Sequence, residues 1–258
     1  MTSSILLDRD GNVATLTLNR PEKMNALNAD MWRGLAERLR EISADTGLRC
    51  VVLRGVGPHF AAGADLAEFA ALRATTAAAE SYGAMMLEAL WGLRDLPQPT
   101  IACISGNCLG AGLELAAMCD LRVAADDARF GVPIQRVGIT MPYPELAALV
   151  DLVGRAVMLE ILLEGQVHDA AWALMRGLVG RVVPAAELPA AVGETVVRIT
   201  AGSPLSHRNH KKFTQRCLSK TAVSETELRD SYRAVESADY REGIAAFLEK
   251  RRAAFTGQ

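Results

Sequence analysis

Three short runs of aliphatic and β-branched residues, separated by segments of helical periodicity, constrain the fold of this chain more than any other feature. VATLTL at 13–18 alternates as a half-buried strand does, while CVVL at 50–53 and TIACI at 100–104 are continuously apolar, the pattern of strands covered on both faces. Residues 28–42 place Met31, Leu35, Leu39 and Ile42 on one helical face, with Asn28 positioned as N-cap. Residues 70–96 carry Tyr82, Met85, Met86, Leu90 and Leu93 at helical spacing and stop before Pro97, so one long helix is expected there. After Ala185 the strand signals vanish. Residues 185–200, 204–218, 224–238 and 241–254 all read as helices, with Gly202, Ser203 and Pro204 as a joint. The expectation is an α/β body over residues 1–190 followed by a helical section over 191–258, without a fixed-period repeat.

Composition excludes several function classes. With 258 residues, 50% of them hydrophobic and 22% charged, the chain can bury a sizeable core. A net charge of −2 offers no electrostatic footprint for nucleic acid or an anionic membrane surface. No stretch approaches the roughly 18 consecutive apolar residues of a spanning helix. The opening MTSSILLDRDGN lacks the basic segment and apolar core of a signal peptide, so a cytoplasmic protein is expected. Cys50, Cys103, Cys108, Cys119 and Cys217 show no CxxC spacing and read as free thiols of a reducing compartment. Of His59, His168, His207 and His210 only His207 and His210 stand within a helical turn of each other, with no Cys in that turn, and no G-x-S-x-G or G-x-G-x-x-G occurs. Neither a metal nor a nucleotide redox cofactor is expected.

Two segments are unusual for structure alone. HFAAGADLAEF at 59–69 follows a buried strand, and the small residues Ala61 to Ala64 let a ligand approach the backbone. Asp65 and Glu68 then open a helix, so free N–H groups cluster where the strand ends; a plain glycine turn with an aspartate cap is the alternative. ISGNCLGAGLELAAMCDLR at 104–122 runs from a strand through a glycine loop into an almost wholly apolar helix holding one carboxylate, Glu114. Such a carboxylate is either paired with a cation or held at a raised pKa for proton transfer, and no basic residue lies within a helical turn of it.

Together these segments resemble the crotonase family, the enoyl-CoA hydratase/isomerase superfamily. The resemblance includes Leu18 to Pro21 with Asn25 to Leu27, the AAGADL loop, SGNCLGAGLELAAMCDLRVA, Ala128 to Pro133, and the ending EGIAAFLEKR at 242–251, in the family's order and spacing. It implies a crotonase-like spiral of ββα units with a C-terminal α-helical trimerisation section, forming a homotrimer or a hexamer of paired trimers. It also implies an acyl-CoA thioester substrate, with coenzyme A as part of the substrate and no separate cofactor.

By the same resemblance the backbone N–H groups of Ala64 and Ala111 form an oxyanion hole for the thioester carbonyl, and Glu114 is the first of two catalytic glutamates. Ala62, Asp65, Leu66 and Ala67 would lie along the adenine and pantetheine path. Phe247 and Lys250 match positions where the tail reaches a CoA site, and Lys23 is a candidate for a CoA phosphate; a packed Phe and solvated lysines are the alternatives. The second glutamate normally follows the proline of Phe-Gly-x-Pro, where this chain has Ile134. Isoleucine neither gives nor takes a proton, which departs from two-glutamate hydration and leaves isomerisation, thioester hydrolysis, decarboxylation or a catalytically degenerate acyl-CoA-binding protein as alternatives. Met141 to Glu145 replaces a glycine-rich loop. There Tyr143 could donate a hydrogen bond to substrate and Glu145 could supply the missing acid, or Glu145 is merely a first-turn helix carboxylate after Pro144.

Overall fold

The computed structural model describes residues 3–258. β1 (Ile5–Asp10) pairs antiparallel with β2 (Val13–Leu18). α1 (Ala29–Ala44) follows, its start fixed by Asn28, whose side chain accepts from the Met31 N–H at 3.0 Å. β3 (Cys50–Gly55), α2 (Phe69–Leu72), α3 (Thr76–Arg94), β4 (Thr100–Ile104), β5 (Asn107–Leu109) and α4 (Ala111–Met118) come next. β6 (Leu121–Ala125), β7 (Arg129–Gly131), α5 (Tyr143–Glu164), β8 (His168–Asp169), α6 (Ala170–Met175) and β9 (Arg181–Val183) complete the mixed part of the chain. Four helices end it: α7 (Leu188–Thr200), α8 (Pro204–Cys217), α9 (Glu225–Tyr232) and α10 (Ala238–Leu248).

The strands build two sheets, one in the order β1-β2-β3-β4-β6-β9 and parallel from β2 onward, the other in the order β5-β7-β8. The chain alternates between them. β4 enters the larger sheet, β5 the smaller, and the buried helix α4 follows; β6, β7 and α5 repeat the turn. The segment after β3 does the same, with Ala61 bridging Cys108 of β5 before α2 and α3. This is the crotonase-type spiral of ββα turns.

Hydrophobicity explains the layers. Leu16, Leu53 and Ala102 pack on one face of the larger sheet with Trp32, Leu35 and Leu39 of α1 and Leu90 and Leu93 of α3. Cys50, Val52, Ile101 and Val123 pack on the other with Leu188 and Val192 of α7. Central strands buried on both faces need the uninterrupted apolar runs that β3 and β4 have, each large side chain contributing roughly 1.5–3 kcal/mol.

Several expected boundaries are corrected. Residues 70–96 do not form one helix: α2 ends at Leu72, and Thr75, with extended backbone at ψ 162°, caps α3 by accepting from the Ala78 N–H at 3.2 Å. The helix expected from 185 starts as a 3-10 turn, Ala185–Glu187, and becomes α-helical only at Leu188. The 224–238 helix is α9 plus a 3-10 turn, Arg233–Glu236, stopped by Ser237, which caps α10 through the Tyr240 N–H at 3.0 Å. The 241–254 helix starts earlier, at Ala238, and ends at Leu248, because the chain after Lys250 turns back on α10. There the buried Asp239 carboxylate accepts from Thr256 N–H and Gly257 N–H, at 2.8 and 2.9 Å. The division at 190/191 falls inside α7, whose apolar face packs on the sheet.

Candidate active site

The loop after β3 is pinned from both sides. Phe60 N–H donates to Ser105 O and Ala61 N–H to Asn107 O, both at 2.8 Å, and Leu109 N–H returns to Ala61 O at 3.0 Å. On the opposite flank Leu27 N–H donates to Gly63 O and Asp65 N–H to Leu27 O, at 2.7 and 2.8 Å. Asn25, fully buried, donates through Nδ2 to Val56 O and His59 O, which ties the start of the loop to the Asn25 segment. His59 Nδ1 accepts from Asn107 N–H at 3.2 Å, so that imidazole links the two loops. Among the described residues the Ala64 N–H, lying between two engaged neighbours, has no protein acceptor.

The second loop meets the first through glycine. A Cβ on Gly63 would come within 3.3 Å of Leu109 O, and one on Gly110 would lie 3.7 Å from Gly63 Cα, at φ 113° and 48° respectively. Only glycine combines that approach with those dihedrals. Gly112 is tighter still, since a side chain there would run into Ala61 O at 2.7 Å. Ala111 is the first residue of α4, so its N–H is one of the donors that a helix start leaves free.

Both alanines line a cavity of about 330 Å³, together with Ala62, Leu66, Phe69, Arg73, Met86, Glu114, Ile134, Met141 and Glu145. Glu114, in the first turn of α4, is 6% exposed, and among the described residues its Oε2 has no hydrogen-bond partner. Glu145, in the first turn of α5, is 4% exposed. Packing of α4 on α5 brings the two carboxyls to one cavity.

Burial pushes the Glu114 carboxyl up from 4.5 to about 8, and the negative charge of Glu145 adds to the rise while Arg73 opposes it. Burial likewise lifts Glu145 to about 7, again against Arg73. Between about pH 7 and 8 this pair therefore holds about one proton, which gives the cavity wall one acid and one base. Asp65 is different. Burial would raise it, but Arg20, whose Nη2 lies 3.0 Å from Oδ2, and the Ala67 N–H hold its carboxyl below the usual range.

A raised carboxyl pKa in the fold has a stability consequence of definite sign. The folded protein keeps the Glu114 proton that the unfolded chain releases near 4.5, so stability falls as pH rises from 4.5 to about 8 and is flat beyond. For a fully buried group this range is worth roughly 3–5 kcal/mol. Denaturant unfolding of wild type and Glu114→Gln should therefore diverge with pH, the variant becoming the more stable by that order at pH 8. A difference independent of pH would refute the shift.

The residues named from sequence separate into two groups. Ala62, Ala64, Leu66, Ala111, Glu114, Ile134 and Glu145 share the cavity wall. Asp65 and Ala67 lie beside it, engaged with each other, and Lys23 is on the exposed 3-10 turn Pro21–Lys23 near Asp65. Tyr143 is 90% exposed and off the cavity wall, because the first turn of α5 points Glu145 inward and Tyr143 outward. Phe247, 82% exposed, and Lys250 are also off that wall in the single chain. Sequence reasoning missed Phe69, Met86 and above all Arg73. Arg73 ends α2 at φ −135°, in the break that the reading of one helix over 70–96 had removed.

Among the described residues no three His, Cys, Asp or Glu are grouped to hold a metal, and no helix is long and apolar enough to cross a membrane.

A ββα spiral with two unengaged amides and a buried carboxyl pair around one cavity defines an enzyme of crotonase type. Sequence comparison gives the same class: residues 8–258 match the enoyl-CoA hydratase/isomerase family. A probable enoyl-CoA hydratase of Mycobacterium bovis is 36% identical over 257 residues, covering 98% of each chain. A crotonyl-CoA hydratase of Syntrophomonas wolfei is 33% identical, covering 98% of this chain and 97% of its own. Among solved structures, an enoyl-CoA hydratase/carnithine racemase from Magnetospirillum magneticum superposes with a TM-score of 0.98 at 49% identity, over 100% of this chain and 97% of that one. The chain belongs to the enoyl-CoA hydratase/isomerase family.

Proposed function

We propose that the protein hydrates a 2-enoyl-CoA through a thioester enolate, with Glu114 and Glu145 as the acid/base pair. The observation that carries this reading is the meeting of the Ala64 and Ala111 amides with both carboxyls at one cavity. The ionised carboxyl takes a proton from water as the hydroxyl bonds to Cβ. Electrons of the double bond move onto the thioester oxygen, where two N–H donors hold the charge at roughly 3 kcal/mol each. The protonated carboxyl then gives its proton to Cα, and the pair is reset by proton exchange. Glu145 thereby supplies from α5 the function that Ile134 cannot. Coenzyme A enters as part of the substrate, and no other cofactor is needed.

Ala62, Asp65, Leu66, Ala67 and Lys23 lie on the side of the oxyanion loop where the CoA moiety would run. Phe247 and Lys250, off the cavity wall of their own chain, would reach a CoA site on a neighbouring subunit. The exposed Tyr232, Val235, Ile244, Phe247 and Leu248 of the C-terminal helices support assembly as a homotrimer or a hexamer. Free cysteines throughout support a cytoplasmic location.

Loss of the enoyl absorbance of crotonyl-CoA tests the reaction. The expected kcat/KM rises to about pH 7 and falls above about pH 8, the limbs belonging to the pair. Glu145→Gln should lower it by about 100-fold. Turnover of a 3-enoyl-CoA without hydration would replace the hydratase reading with an isomerase one.

A further inference from the structure

The cavity contains a cation that the hydration chemistry does not use. Arg73, half-buried at the end of α2, stands with its guanidinium carbon 4.5 Å from the Phe69 ring centroid and 5.6 Å from that of Tyr82. The two rings are themselves edge to face at 5.8 Å, which fixes the platform. Among the described residues the guanidinium forms neither an ion pair nor a hydrogen bond; its neighbours are these two rings.

Other part-buried cations of the molecule are committed. Arg20 pairs with Asp65 at 3.0 Å, Lys211 with Asp120 at 2.7 Å, and Arg122 donates to Leu178 O at 2.9 Å. Arg136, the second cation on the cavity wall, is exposed and donates to Gly165 O at 3.1 Å. Arg73 alone of these offers its donor fork to the cavity.

A neutral acyl chain filling the cavity would strip water from this guanidinium and give it nothing in return, which is costly. A carboxylate would return two parallel N–H···O bonds. Arg73 shares the cavity wall with Glu114 and Glu145 and its charge acts on both, so it belongs to the acyl side of the cavity. The phosphates of coenzyme A sit at the far end of the pantetheine arm. A volume of about 330 Å³ favours a short acyl group.

We propose that the Arg73 guanidinium receives a carboxylate at the distal end of the acyl chain, making the preferred substrates CoA thioesters of short dicarboxylic acids. Arg73 is then the specificity-determining residue, with Phe69 and Tyr82 holding its plane. The inference rests on the acyl-CoA reading of the cavity, but not on which reaction follows.

Calorimetric titration with two unreactive thioesters of equal acyl length, glutaryl-CoA and pentanoyl-CoA, tests it. Wild type should bind glutaryl-CoA on the order of 30-fold more tightly. Arg73→Met should bring the two affinities together, and Arg73→Lys, which keeps the charge but not the fork, should retain part of the preference. Equal binding in wild type, a preference that survives Arg73→Met, or tighter binding of a trimethylammonium-tipped acyl-CoA would each overturn the assignment. If neither thioester binds, the acyl-CoA reading fails and takes this one with it. A glutaryl preference lost in Arg73→Met supports the assignment even if the unsaturated analogue is not hydrated, in which case the hydratase reading alone is wrong.

Discussion

Glu114→Gln will reduce the turnover of a 2-enoyl-CoA by about 10³- to 10⁴-fold while leaving CoA-thioester binding in place. The side chain is the only carboxylate in the apolar helix α4, is buried at the cavity wall, and has an oxygen without a partner among the described residues. Proton transfer by a positioned carboxyl contributes about 10²- to 10⁴-fold, and Glu114 sits at the upper end because desolvation and its neighbour tune it toward working pH. Glutamine keeps the shape and removes the titration. Since the buried charge goes with it, the variant should also melt no lower than wild type at pH 8, which separates lost chemistry from lost folding. Turnover near the wild-type rate would remove Glu114 from the mechanism.

Removing one main-chain donor is the second large effect. Ala111→Pro deletes the N–H at the first position of α4, where proline is tolerated because no intrahelical bond uses that hydrogen. Gly110 before it is already outside the helical region, at φ 48° and ψ −121°, so the restriction proline places on its predecessor does not unwind the helix. The expected loss is about 10²- to 10³-fold in kcat, whereas Ala111→Gly, which keeps the N–H, should stay within a few-fold of wild type. Stopped-flow or steady-state assays of the two variants decide the matter. Equal rates for Pro and Gly would mean that the amide holds no developing charge.

Much of the fold could be read from the chain because local rules and packing agree there. CVVL and TIACI are apolar without interruption, and they are the central strands β3 and β4; the Asn28 cap and the α1 face also follow from spacing alone. Errors fell where short polar contacts override propensity. Thr75 divides an alanine-rich stretch that otherwise favours helix, and the Asp239 contacts pull residues 256 and 257 back along α10. Neither signal rises above its background until the partner is known.

The candidate site divides along the same line. Gly63, Gly110 and Glu114 stand out in one dimension, because a glycine at a strand end and a lone carboxylate in an apolar helix are locally anomalous. Glu145 and Arg73 look ordinary in the sequence, one a first-turn helix carboxylate and the other a basic residue among alanines. Packing of α5 on α4 removes water from Glu145, and the break between α2 and α3 turns Arg73 toward Phe69 and Tyr82 at the cavity. The sequence by itself determined the layered α/β framework, the family and the two amide-bearing loops, because these depend on residue type at fixed spacing. Only the tertiary structure decided which charges share the cavity, because desolvation and charge proximity depend on distances between residues far apart along the chain.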